Sequence, residues 1–206
     1  MKKILCYGDS NTFGYNPEDG SRFDEITRWT GQLQKNLGVE HVVINEGVCD
    51  RTGFVNNPKG LLYSAQRHLP KMLTETEDVN LFVIALGTND LQKEYNISFD
   101  TVEKGLITLI NLAKSKSRQV LIIPPVILDE KVLKGDFAFQ YDRTSVDKSK
   151  KIGKIFNKVA KSNRCEYFDI NKYTKPSDID GLHYDEAAHK LIGAKLADFI
   201  RQFCRY

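Results

Sequence analysis

Lys2-Lys3-Ile4-Leu5-Cys6-Tyr7-Gly8-Asp9-Ser10-Asn11-Thr12-Phe13-Gly14 opens the chain with a short apolar run that ends in Gly-Asp-Ser. A run of that length, broken by glycine and polar residues, reads as a buried strand entering a tight turn. In open α/β sheets, ligands bind outside the carboxyl ends of the strands. The turn would therefore hold the Ser10 hydroxyl at the mouth of a crevice. The same residues also read as a plain polar turn capping a helix. The rest of the chain decides between the two.

Outward from this strand, apolar runs alternate with helical patterns. Trp29, Leu33 and Leu37 recur at helical spacing in 28–37, and Gly38 supplies a stop signal. A second strand, His41 to Asn45, breaks into a polar loop from Glu46 to Gly53. The spacing predicts a helix over Gly60 to Leu73, then the clearest buried strand, Leu81 to Leu86, which runs into Gly87-Thr88-Asn89-Asp90. A helix from Phe99 to Ser115 and a strand from Val120 to Ile123, closed by Pro124-Pro125, come next. Residues 126–144 lack a period and read as a long loop, partly mobile. A helix over Ser145 to Asn163, a short strand at Tyr167-Phe168 and a helix from Asp185 to Phe203, capped by Asp185, complete the chain. Five such alternations predict an α/β fold: a five-stranded parallel sheet covered on both faces by helices, a three-layer α/β/α sandwich. Right-handed crossovers put all the carboxyl ends of the strands on one edge. No repeat or linker interrupts 1–206, so one domain is expected.

Composition limits the function classes. The chain of 206 residues is 41% hydrophobic and 28% charged, with a formal net charge of +3. So small an excess gives no reason to expect a nucleic-acid or membrane partner. The four cysteines, Cys6, Cys49, Cys165 and Cys204, have no metal-finger or C-x-x-C spacing. They fit a reducing compartment. The apolar run at the amino terminus is too short for a signal-peptide core, and no run approaches a membrane span. A cytoplasmic protein is expected.

Three strand ends carry polar clusters: Gly8-Asp9-Ser10, the stretch Asn45 to Thr52, and Gly87-Thr88-Asn89-Asp90. A fourth cluster, Asp180-Gly181-Leu182-His183, stands before the last helix. An acid three residues before a histidine can reach the imidazole Nδ1 locally, which leaves the far nitrogen free to accept a proton. A serine hydroxyl needs such a base to become a nucleophile. The catalytic candidates are therefore Ser10 as nucleophile, His183 as base and then acid, and Asp180 as the group orienting it. An oxyanion would be met by the Ser10 N–H, an N–H of the second loop and the Asn89 side-chain amide. Loss of one such donor costs about 10²–10³ in rate. His41, His68 and His189 lie in predicted strand or helix interiors and read as structural.

These residues resemble the SGNH (GDSL-type) hydrolases. Gly8-Asp9-Ser10 with Thr12 and Gly14 is similar to the first block of that family, Gly87 to Asp90 to the third, and Asp180 to His183 to the fourth. Arg28-Trp29-Thr30-Gly31, Asn45-Glu46-Gly47, Arg51-Thr52 and Pro124-Pro125 resemble its bacterial arylesterase and acyltransferase branch. The resemblance implies a flavodoxin-like fold and a covalent acyl-serine intermediate formed without metal or cofactor. It also implies small ester substrates, with acyl transfer to alcohols or peroxide in some members. Two positions depart from the pattern. The glycine of the second block falls on Asp50, which makes the Asp50 N–H the second-loop oxyanion donor; an inward-pointing carboxylate there would oppose the oxyanion and lower the rate unless Arg51 beside it neutralised the charge. Asn11 follows the serine where the acyltransferases carry an apolar residue.

Asn11, Phe13 and Trp29 are the substrate-binding candidates. Phe13, Tyr15 and Trp29 would wall a small apolar pocket suited to short acyl chains, or else serve as core aromatics. Phe137, Phe139 and Tyr141 in the long loop suggest a lid or a contact in a homo-oligomer. The leading expectation is a serine ester hydrolase of arylesterase or acetylesterase type. The alternative is a small-ligand binding protein on the same scaffold, disabled by Asp50.

Overall fold

The computed structural model describes residues 1–204. Five strands, β1 (Lys2–Gly8), β2 (His41–Gly47), β3 (Val79–Ala85), β4 (Ser117–Ile123) and β5 (Glu166–Tyr167), form one sheet in the order β2-β1-β3-β4-β5. All four pairings are parallel. Six helices flank it: α1 (Ser10–Phe13), α2 (Trp29–Leu37), α3 (Ala65–Glu75), α4 (Phe99–Lys114), α5 (Arg143–Ser162) and α6 (Glu186–Phe203). Helices α2 and α6 pack together as one layer, and α3, α4 and α5 as the other. The result is the expected three-layer α/β/α sandwich.

The central strands are buried from both sides, which is why their sequences are apolar runs rather than alternations. Ile4, Cys6 and Tyr7 of β1, and Leu81, Phe82, Val83 and Ile84 of β3, lose all contact with solvent. Strand order reverses between β1 and β3: the chain leaves β1 toward β2 on one side and returns to β3 on the other. Such a switch point opens a crevice at the carboxyl ends of the strands. Gly8 pairs with Gly47 on one neighbour and Ala85 on the other, so three strand ends arrive side by side.

Helix ends follow their capping chemistry. Asp185 accepts the Ala188 N–H at 2.8 Å, and Ser98 caps α4 by accepting from Thr101 N–H at 3.1 Å. Helix α5 starts at Arg143, before the expected Ser145, because Asp142 and Ser145 form a reciprocal capping box. The helix expected over Gly60 to Leu73 is divided. A short 3₁₀ turn, Leu61–Tyr63, precedes α3, with Ser64 in extended conformation between them. Thr52 causes the break: its N–H donates to Tyr63 O and its carbonyl accepts from Ala65 N–H, both at 2.9 Å. A pairing across a dozen residues thus overrides local helical spacing. The loop 126–144 carries a 3₁₀ turn, Glu130–Leu133, and is anchored by buried Val126, Leu128, Val132 and Tyr141. Among the described residues no helix is long and apolar enough to cross a membrane.

Candidate active site

The turn that carries Ser10 is built by Asp9. Its carbonyl accepts the N–H groups of Thr12 and Phe13 at 3.1 and 2.8 Å, and its carboxylate accepts that of Asn11 at 3.0 Å. The stretch is thus both a strand-end turn and a capped helix start, which unites the two readings of the sequence. Gly8 is needed because a Cβ there would collide with the Thr12 side chain and the Ala85 carbonyl. Burial pushes the Asp9 carboxyl up, against hydrogen bonds from Asn11 and Thr88.

His183 arrives from the loop before α6. Gly181 turns that loop with a φ of +69°, in the left-handed region that glycine adopts without strain. Asp180 Oδ1 accepts the N–H groups of Leu182 and His183, each at 2.9 Å, and Oδ2 faces His183 Nδ1 at 2.6 Å. His183 Nε2 lies 3.0 Å from Ser10 Oγ. Burial alone would raise the Asp180 carboxyl, but its hydrogen bonds to His183 and Leu182 and the His183 charge hold it below its ordinary value. An ionised Asp180 only accepts, so the imidazole proton sits on Nδ1 and the Nε2 lone pair is directed at the serine. The Tyr15 ring lies 4.1 Å from the imidazole centroid, and Phe137 meets it edge-on at 5.2 Å. These two aromatics shelter the imidazole.

Three amide groups are the candidates to meet an oxyanion: the Ser10 N–H, the Asp50 N–H and the Asn89 side chain. Asn89 Nδ2 donates to Arg51 O at 3.1 Å, and Asn89 Oδ1 accepts from Gln92 Nε2 at 3.2 Å. One hydrogen of the Asn89 amide is therefore used to fix it, and the other remains for a ligand. Among the described residues the Ser10 and Asp50 backbone N–H groups meet no acceptor. Asp50 adopts a φ of +63°, so an aspartate reaches the left-handed conformation that a glycine would take. Its carboxylate turns to Lys59 Nζ at 2.6 Å.

Arg51 does not neutralise Asp50, contrary to the expectation from adjacency. Its guanidinium is buried beneath the site, where Nη1 donates to Gly8 O and Glu46 O at 3.1 and 2.5 Å and Nε to Leu62 O at 3.2 Å. It stacks 4.2 Å over the Tyr7 ring. The guanidinium thus ties the carboxyl-terminal ends of β1 and β2 together, adding a donor to Gly8 O, which also accepts the Val48 N–H at 3.2 Å.

The substrate-binding candidates are placed as follows. Asn11 Nδ2 donates to Leu182 O at 3.3 Å and Asn11 Oδ1 accepts from Tyr184 N–H at 3.1 Å, so its amide brackets His183 in the chain. Trp29 is buried, its Nε1 donating to Asn11 O at 3.1 Å and its backbone N–H to His189 Nδ1 at 3.1 Å. Phe13 lies half-buried under the Arg22 guanidinium, 4.2 Å from its ring. Asn11 and Trp29 border a cavity of about 20 Å³, room for about one water. A cleft of about 360 Å³ opens instead beside Asp50 and Gln92, with Lys59, Glu94, Tyr95 and Phe139 along its walls.

Asp90 has a structural part that its place in a polar cluster did not reveal. Its carboxylate accepts the N–H groups of Gly53 and Phe54 at 2.6 Å and of Val55 at 3.1 Å, which locks the second loop to the third. Full burial drives its pKa up to about 6 in spite of those bonds. Gln92 was likewise missed and Arg51 was read only as a neighbour of Asp50, because no local pattern marks a charged or amide residue whose partners lie on other elements.

Known proteins agree with this architecture. The family model described as GDSL-like lipase/acylhydrolase matches residues 6–191. A carbohydrate acetylesterase family member from Sinorhizobium meliloti superposes with a TM-score of 0.90 at 29% identity, covering 98% of both chains. The aryl esterase of M. smegmatis gives 0.89 at 26% identity, over 98% of this chain and 99% of that one. A second carbohydrate acetylesterase of Sinorhizobium meliloti gives 0.86 at 25%, with the same coverage. No curated protein sequence matches. The chain belongs to the GDSL-like lipase/acylhydrolase family and is a carboxylic ester hydrolase of the SGNH type.

Proposed function

We propose that the protein cleaves small, short-acyl esters through a covalent acyl intermediate on Ser10. The observation that carries this reading is the chain of contacts Ser10 Oγ to His183 Nε2 at 3.0 Å and His183 Nδ1 to Asp180 at 2.6 Å. His183 Nε2 takes the hydroxyl proton as Oγ forms its bond to the ester carbonyl carbon, and Asp180 stabilises the resulting imidazolium. The carbonyl oxygen gains the negative charge, met by the N–H groups of Ser10 and Asp50 and by the Asn89 amide. Collapse breaks the bond to the alkoxy oxygen, which leaves with the proton from Nε2. Water, activated in the same way, then attacks the acyl carbon and frees Ser10.

The cleft beside Asp50 runs past the second loop without Ser10, Asn89 or His183 on its walls, and its chemistry favours a small or polar substrate. Its walls combine charged and amide side chains with Tyr95 and Phe139, a surface that suits a short acyl group or a hydroxylated alcohol better than a long alkyl chain. The acetylesterase and aryl esterase neighbours point the same way. An alcohol bound in place of water would turn hydrolysis into acyl transfer.

Hydrolysis of p-nitrophenyl acetate, butyrate and octanoate by wild type and Ser10→Ala tests the proposal. The expected result is a fall of about 10³ or more in kcat/KM for the variant and a wild-type preference for acetate over octanoate. Equal rates in the two proteins would remove the covalent reading, and a preference for octanoate would remove the short-acyl one.

A further inference from the structure

Asp50 brings a carboxylate to a position whose function is to offer a backbone N–H to a developing anion. A carboxylate close to that anion would oppose it, because unit charges a few ångströms apart interact by several times thermal energy at a protein surface. The loop removes the conflict with three residues. Asn57 Nδ2 donates to Asp50 O at 2.7 Å, and Asn57 Oδ1 accepts the Lys59 N–H at 2.9 Å. Buried Asn57 is itself fixed by its own N–H, which donates to Ser64 Oγ at 2.8 Å. These bonds fold the loop so that Lys59 Nζ meets Asp50 Oδ2 at 2.6 Å on the cleft wall.

We propose that Lys59 is a positioning residue for ester hydrolysis: its ammonium ties back and neutralises the Asp50 carboxylate, so that Asp50 contributes its N–H to the oxyanion without its side chain opposing that charge. The inference rests on the serine-hydrolase reading above. The charge at issue appears in the transition state and not in the bound ester, so the effect falls on kcat and leaves KM nearly unchanged. Arg51, the neighbouring cation, is committed to Gly8 O and Glu46 O and does not replace Lys59.

The test compares steady-state p-nitrophenyl acetate hydrolysis in wild type, Ser10→Ala, Lys59→Met, Lys59→Arg and the double variant Lys59→Met/Asp50→Asn. The pair is partly exposed, so Lys59→Met is expected to lower kcat by about two- to fivefold with KM within about twofold. Asn tolerates the left-handed conformation without a charge, so the double variant recovers most of the loss, and Lys59→Arg retains most of the wild-type kcat. An unchanged kcat in Lys59→Met overturns the inference. So does a loss that Asp50→Asn fails to relieve, since the Lys59 charge itself or the loop fold would then be its source. Melting temperatures of the variants separate a misfolded loop from an electrostatic loss. Should Ser10→Ala hydrolyse as fast as wild type, the underlying reading falls; a dead Ser10→Ala with an indifferent Lys59→Met removes the Lys59 inference alone.

Discussion

The loop 180–183 and the turn 87–92 each bury a carboxylate at the same edge of the sheet, and they treat it in opposite ways. Asp180 accepts two backbone N–H groups and an imidazole, and is held below its ordinary pKa. Asp90 accepts three backbone N–H groups and no side chain, and its pKa rises to about 6. Counting hydrogen bonds does not explain the difference. Burial is complete at Asp90 and is offset at Asp180 by a partner that can carry positive charge. In the mechanism proposed above the first carboxylate stabilises a charge that appears during the reaction, whereas the second fastens two loops.

The sharpest way to break this comparison is to neutralise each carboxylate without changing its shape. In Asp180→Asn the amide oxygen can still accept from Leu182 and His183 N–H, so the fold should persist. The amide NH₂ facing Nδ1 would place the imidazole proton on the wrong nitrogen, and kcat should fall by about 10³–10⁴. Steady-state kinetics beside a melting curve check both parts. Unaltered kcat would mean that Asp180 does not orient the base.

Asp90→Asn should show itself in stability. The native state binds the Asp90 proton below about pH 6, whereas the ordinary value is 3.8. Between these values the native state holds more protons, so the Asp90 contribution to stability grows as pH falls and is lost as pH rises through about 6. The stability advantage of wild type over Asp90→Asn should therefore widen by about 2–3 kcal/mol between pH 8 and pH 4, as read by urea melts. For Asp180, whose folded pKa is depressed, the sign is the reverse: the advantage over Asp180→Asn shrinks as pH drops through the carboxylate range. Parallel pH profiles for the two variants would contradict the comparison.

The same contrast explains what could be read from the chain. The Asp180–His183 pair is local, three residues apart, so its geometry follows from a single turn. The ends of β1 and β3, at Gly8 and Ala85, are marked by apolar runs that stop at glycine, and a parallel sheet brings them together. Arg51, Asp90 and Asn11 act through backbone groups tens to more than a hundred residues away. A buried arginine or aspartate resembles a surface one in sequence, because the groups that compensate its charge come from other elements. Lys59 lies in the same loop as Asp50, nine residues on, but no local pattern marks a surface lysine as the partner of one particular carboxylate; the helix expected from Gly60 was cut by Thr52, a partner that no periodicity records.

The proposed mechanism turns on Ser10 as a nucleophile activated by His183. Mass spectrometry after brief exposure to an organophosphonate, in wild type and in His183→Ala, is the decisive experiment. A single adduct on Ser10 is expected, forming rapidly in wild type and at least about 10³-fold more slowly in the variant. An adduct elsewhere, or equal labelling of Ser10 in both proteins, would contradict it.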